Sequence, residues 1–91
     1  MEVDVLSIER NDKASGPREA AYDVKTTIDG RDRTFEVLVA TGKIGPDPIS
    51  YAVFRDPSEM RLFKHDQRPI TDILRGVLDV CNREQALLLP T

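Results

Sequence analysis

Residues Ala20–Ala40 read AAYDVKTTIDGRDRTFEVLVA. The even positions Ala20, Tyr22, Val24, Thr26 and Ile28 form one row, and Asp23, Lys25 and Thr27 form the other. Side chains alternate between the two faces of a strand, so this pattern marks a half-buried one. From Thr34 to Ala40 the apolar positions are the odd ones, Phe35, Val37 and Val39. Between the runs lies Asp29–Gly30, a dipeptide that tolerates positive φ and so favours a type I′ hairpin turn. A two-residue loop pairs Ile28 with Arg31, Thr26 with Arg33, Val24 with Phe35, Tyr22 with Val37 and Ala20 with Val39. The last three pairs set apolar residues opposite one another on one face. A four-residue loop, Asp29–Asp32, keeps the parity and pairs Val24 with Val37. A three-residue loop without a bulge sets an apolar row against a polar one. Parity therefore supports the hairpin and leaves both even-length loops open.

Outward from this hairpin, Glu2–Glu9 reads as a strand whose alternation breaks between Val5 and Leu6. Either both faces are covered at that point or, in the preferred reading, a bulge sits there. Asn11–Pro17 (NDKASGP) and Thr41–Pro48 (TGKIGPDP) combine glycine, proline and Asn/Asp and read as loops. A further strand runs from Ile49 to Arg55. Asp56–Asp66 (DPSEMRLFKHD) is ambiguous. The preferred reading is a turn at Asp56–Glu59 followed by a short strand through Met60, Leu62 and Lys64, because those residues alternate. The other reading is a helix start, with Asp56 as N-cap, Pro57 at the first helical position, and Met60 and Phe63 facing inward.

Ile70, Ile73, Leu74, Val77, Leu78 and Cys81 follow the i, i+3, i+4, i+7, i+8, i+11 spacing of an amphipathic helix. Pro69 or Thr71 marks its start, and Pro90 forbids its continuation. The opposite face allows Asp72–Arg75 and Asp79–Arg83 pairs. Gly76, inside the helix, costs about 1 kcal/mol against alanine. The expected fold is α+β and two-layered. An antiparallel meander of four to five strands, containing the Asp29–Gly30 hairpin, packs against one C-terminal helix.

The chain has 91 residues and a net charge of -3, with 40% hydrophobic and 32% charged residues. That composition is globular, and the length is that of a single small domain spanning 1–91. The single cysteine excludes an intrachain disulfide and a cysteine metal cluster. The start, MEVDVLSIER, lacks the basic and apolar regions of a signal peptide, and no apolar run approaches the ~20 residues of a membrane span. The expected setting is a reducing cytoplasm.

Little chemistry stands out. His65–Asp66 resembles a base with an orienting carboxylate, but neighbours on a strand point to opposite faces and no nucleophile accompanies them. Cys81 lies on the apolar helix stripe and reads as a core residue. Gly42–Lys43–Ile44–Gly45 lacks phosphate-loop spacing. No catalytic, cofactor-binding or metal-binding residues are assigned, and no cofactor is implied. The one basic grouping that invites a partner is Arg31, Arg33, Arg55, Arg61, Lys64 and Arg68, of which Arg31 and Arg33 by the hairpin turn and Arg61 and Arg68 before the helix are the candidate contacts. Convergence of those edges would make a patch for an anion or an acidic partner.

One helix covers only part of such a sheet, and the apolar tail Ala86–Leu89 has no place in it. The expected role is therefore non-enzymatic and carried by protein–protein contacts, with the chain itself or another protein as partner and a homodimer foremost. The alternative is a nucleic-acid-associated regulator using the arginine-bearing hairpin edge, which the overall acidity disfavours. That alternative requires binding to mixed DNA and RNA that weakens steeply as salt rises. Absence of binding at low salt, measured by fluorescence anisotropy, removes it.

Overall fold

The computed structural model describes residues 2–16, 19–44 and 47–88, with side chains outside 41–49 and 85–88. Four strands form one antiparallel sheet in the order β1-β2-β3-β4: β1 Val3–Asn11, β2 Glu19–Ile28, β3 Arg31–Ile44 and β4 Asp47–Phe54. A 3₁₀ helix, Pro57–Phe63, and an α-helix, α1 Arg68–Leu88, follow.

The central hairpin takes the shorter of the two loops that parity allows. Ile28 pairs with Arg31, Val24 with Phe35, Tyr22 with Val37 and Ala20 with Val39. Asp29 has φ 50° and Gly30 φ 82°, the left-handed pair that a type I′ turn demands. Aspartate tolerates this region, and its carboxylate Oδ1 accepts a hydrogen bond from the Glu2 N–H at 2.9 Å. Its own N–H donates to the Glu2 carbonyl, also at 2.9 Å, so the turn is tied to the start of β1.

The pairing of β1 with β2 shifts register between Val5 and Ser7, leaving Leu6 as the bulged residue. Before the bulge Val3 lies opposite Ile28, and after it Ile8 lies opposite Val24. Both therefore join the face that carries Tyr22 and Phe35. The extra residue reconciles the broken alternation and leaves Leu6 exposed.

Against that inner face lies α1. Ile70, Ile73, Val77 and Cys81 are buried from the helix, against Tyr22, Val24, Phe35, Val37, Val39 and Phe54 from the sheet. Gly76 fits the close approach: a Cβ there would sit 3.2 Å from Cδ1 of Ile8. Thr26, the one buried polar or charged residue that accompanies the core among the described residues, donates from Oγ1 to the Arg33 carbonyl at 2.7 Å. Burial thus leaves its hydroxyl satisfied.

Three expectations are corrected. Asp56–Asp66 holds no strand. Asp56 Oδ1 accepts from the Ser58 N–H at 3.0 Å and from its hydroxyl at 2.7 Å, and Pro57 occupies the start of the 3₁₀ helix. Capping and a proline-fixed φ start a helical turn there. The decisive gain is Phe63, fully buried with its ring centroid 5.7 Å from that of Phe35, while Met60 stays half-exposed. Thr41–Pro48 is not a loop throughout: Thr41 pairs with Ser50, Lys43 with Pro48 and Ile44 with Asp47, so β3 and β4 extend past the end of β2. Gly45–Pro46, between them, lies outside the described residues. Proline at 48 is compatible with an edge strand, where a missing donor breaks no internal ladder. Finally, the helix pairs Asp72–Arg75 and Asp79–Arg83 are not among the ion pairs formed by the described residues. Holding exposed side chains in one geometry costs about as much entropy as such a contact returns.

Val37→Asp places a carboxylate in the fully buried row facing α1. An unpaired charge there destabilises by several kcal/mol, of the order of the whole folding free energy. Loss of the cooperative thermal transition by circular dichroism is the expected outcome. Asp56→Ala removes the 3₁₀ cap and should lower the midpoint of urea denaturation.

Candidate functional site

The sequence singles out four arginines, and the fold separates them. Arg31 and Arg33 continue the inner row of β3 beyond Phe35. The Arg33 guanidinium carbon lies 5.7 Å from the Phe35 ring centroid, a cation–π distance. Both line an open groove of about 520 Å³ between the β2–β3 turn and the 3₁₀ helix, with Ile28, Asp29, Asp32 and Leu62. Arg61 precedes Leu62 on the 3₁₀ helix; hydrogen bonds from the Ser58 hydroxyl and N–H hold the Asp56 carboxyl below its ordinary range, and the Arg61 charge adds to them.

Arg68 lies in a second groove of about 260 Å³, with Val3, Val5, Asp66, Pro69, Asp72 and Ile73. Its guanidinium is committed to Asp66: Nε and Nη2 each donate to a carboxylate oxygen at 3.0 Å. These bonds hold the Asp66 carboxyl below its usual value. Asp66 is therefore occupied by Arg68, and His65 beside it is exposed. No base–carboxylate dyad forms.

The larger groove is not a concentrated anion trap. Its two arginines face two aspartates, and nearby, burial and then the Asp56 charge push the Glu59 carboxyl above its ordinary range, with Arg33 pulling against them. The charges alternate in sign, which favours solvation over capture of an anion. Among the described residues no three of His, Cys, Asp and Glu come together as a metal site. No helix among them is long and apolar enough to cross a membrane.

Cys81 is buried, as the helix stripe predicts. Next to it the Tyr22 hydroxyl donates to Glu84 Oε2 at 2.8 Å, and Arg10 Nη1 stands 3.9 Å from the same oxygen. Burial, then the Cys81 thiol and the Glu84 carboxylate, push the Tyr22 hydroxyl far above its ordinary pKa. The group is thereby kept as a proton donor. It fastens the later turns of α1 to β2 and serves the fold.

The sequence leaves open which face of β4 is buried. Ala52 and Phe54 turn inward, opposite Val39 and Val37, while Tyr51 and Val53 lie on the outer face, each 46% exposed. Val53 pairs with Leu38 and Tyr51 with Ala40. Beside them Arg55 Nη1 donates to Glu36 Oε1 at 2.9 Å. A sign of this patch lies in β3, whose outer row runs Asp32, Thr34, Glu36, Leu38, Ala40 and turns apolar only toward its end.

Comparison with known proteins returns no matching family model, no matching curated protein and no matching solved structure.

Tyr22→Phe tests the hydroxyl contact. Loss of one hydrogen bond to a charged, partly exposed acceptor costs about 1–2 kcal/mol at neutral pH. The hydroxyl also sets an alkaline limit. An unfolded tyrosine ionises near pH 10.0, whereas folded Tyr22 keeps its proton. Above that pH the unfolded state binds fewer protons, so stability falls as pH rises. Urea denaturation should show the wild type losing stability above pH 10.0, with a flatter dependence in Tyr22→Phe.

Proposed function

We propose that this chain is a small, non-enzymatic, cytoplasmic protein that acts through protein–protein contacts and does so as a homodimer. The observation that carries this reading is the outer face of the sheet. The helix α1 packs on the inner face, and Tyr51 and Val53 stay half-exposed on the outer one beside Leu38. Exposed apolar side chains grouped on a strand face are characteristic of surfaces that meet another protein. The grooves support the non-enzymatic part: their polar groups are paired or mixed in sign, and His65 is solvated outside them. Burial of Cys81, the single cysteine of the chain, fits a reducing compartment.

Sedimentation equilibrium tests the dimer. The apparent mass should rise from 10.2 kDa toward twice that value as concentration reaches the high micromolar range. A constant monomer mass throughout removes the homodimer.

A further inference from the structure

We propose that β4 is where two copies of this chain meet, edge to edge and antiparallel, joining two four-stranded sheets into one. This deepens the homodimer reading and rests on it.

The two edges of the sheet differ. β1 carries the Leu6 bulge, and Asp4, Glu9 and Arg10 spread charge along it. Bulges and charges are the devices that keep an edge from pairing. β4 has an unshifted register against β3, and its run Ile49–Phe54, ISYAVF, carries no charge. Pro48 lacks a donor and can join such a ladder through its carbonyl alone. An uncharged run rich in β-branched and aromatic residues on an open edge is a template for an added strand.

Charge at its two ends identifies that strand. Asp47 begins β4, and Arg55 follows it with its N–H still bonded to the Glu36 carbonyl at 3.0 Å. An antiparallel copy centred on Tyr51 sets Asp47 opposite Arg55, Ile49 opposite Val53, and Tyr51 opposite Tyr51. The first two pairs recur across the twofold axis. A parallel copy in register sets like charge against like. An isologous dimer brings the same patch to itself, and this patch is self-complementary in the antiparallel sense alone. The Arg55 guanidinium gives Nη1 to Glu36 and has further donors for a second carboxylate. Odd positions meet odd positions in this register. Tyr51 and Val53 of both copies therefore share one outer face as cross-strand neighbours.

Sedimentation equilibrium of the full chain and three variants tests the surface, with circular dichroism melting to confirm folding. Tyr51→Lys brings two like charges together at the axis and should weaken the dimer by about tenfold or more. Asp47→Arg and Arg55→Asp should each weaken self-association, because each faces its own charge across the axis. Mixed in equal amounts, these two variants should recover as a heterodimer, since every end pair is again opposite in sign. A wild-type chain that stays monomeric overturns the homodimer reading and this surface together. A wild-type dimer unmoved by all three variants, or a mixture that does not recover, overturns the β4 surface and leaves the homodimer standing. If Arg55→Asp fails to fold, Tyr51→Lys decides alone.

Discussion

The two-residue turn at Asp29–Gly30 is the constraint on which the other contacts depend. Its positive φ angles set the register of β2 against β3, and a slip of one residue would turn the apolar row of the slipped strand outward. With the register held, Tyr22, Val24, Phe35 and Val37 form a single buried sheet row. The row gives α1 a floor, gives Phe63 a ring to pack on, and places the Arg33 carbonyl where Thr26 can use it. The same turn is bound to Glu2, so β1 is aligned from its first residues.

The remaining elements close the ends of this layer. The capped 3₁₀ helix brings Phe63 across one end of the core, near the arginine-bearing turn. Toward the other end of α1, Tyr22, Glu84 and Arg10 join the helix to β2 and β1 by polar contacts. Among the described residues no buried side-chain polar atom lacks a partner, so the core gains its burial without the penalty of stranded donors. The polar surface is a mosaic. The ion pairs Arg55–Glu36 and Arg68–Asp66 each set an arginine directly against a carboxylate.

Much of the fold is legible in the sequence because its signals are local. The Asp29–Gly30 parity, the Ile70-to-Cys81 stripe and the break at Val5–Leu6 each report backbone geometry within a few residues. Met60–Lys64 misleads because a short alternating run fits a strand as well as a helical turn. The choice there was made by Phe63 reaching Phe35, a contact between residues far apart in the chain. Thr41–Pro48 misleads because glycine and proline usually mark loops, yet an edge hairpin tolerates both. Convergence of the candidate arginines was illegible for the same reason. Arg31 and Arg33 meet through strand parity, whereas the position of Arg68 depends on Asp66 and the entry of α1.

The meander order has a consequence for how the chain reaches this state. Every strand pairs with its neighbour in sequence, so each ladder closes a short loop at little entropic cost. The helix, by contrast, makes its contacts late in the chain and across the whole sheet. An assembled sheet awaiting α1 would show water the row from Tyr22 to Val39, a sticky face much larger than the outer patch that persists in the finished molecule. Speed of helix docking thus sets how long the chain is exposed to the wrong neighbours.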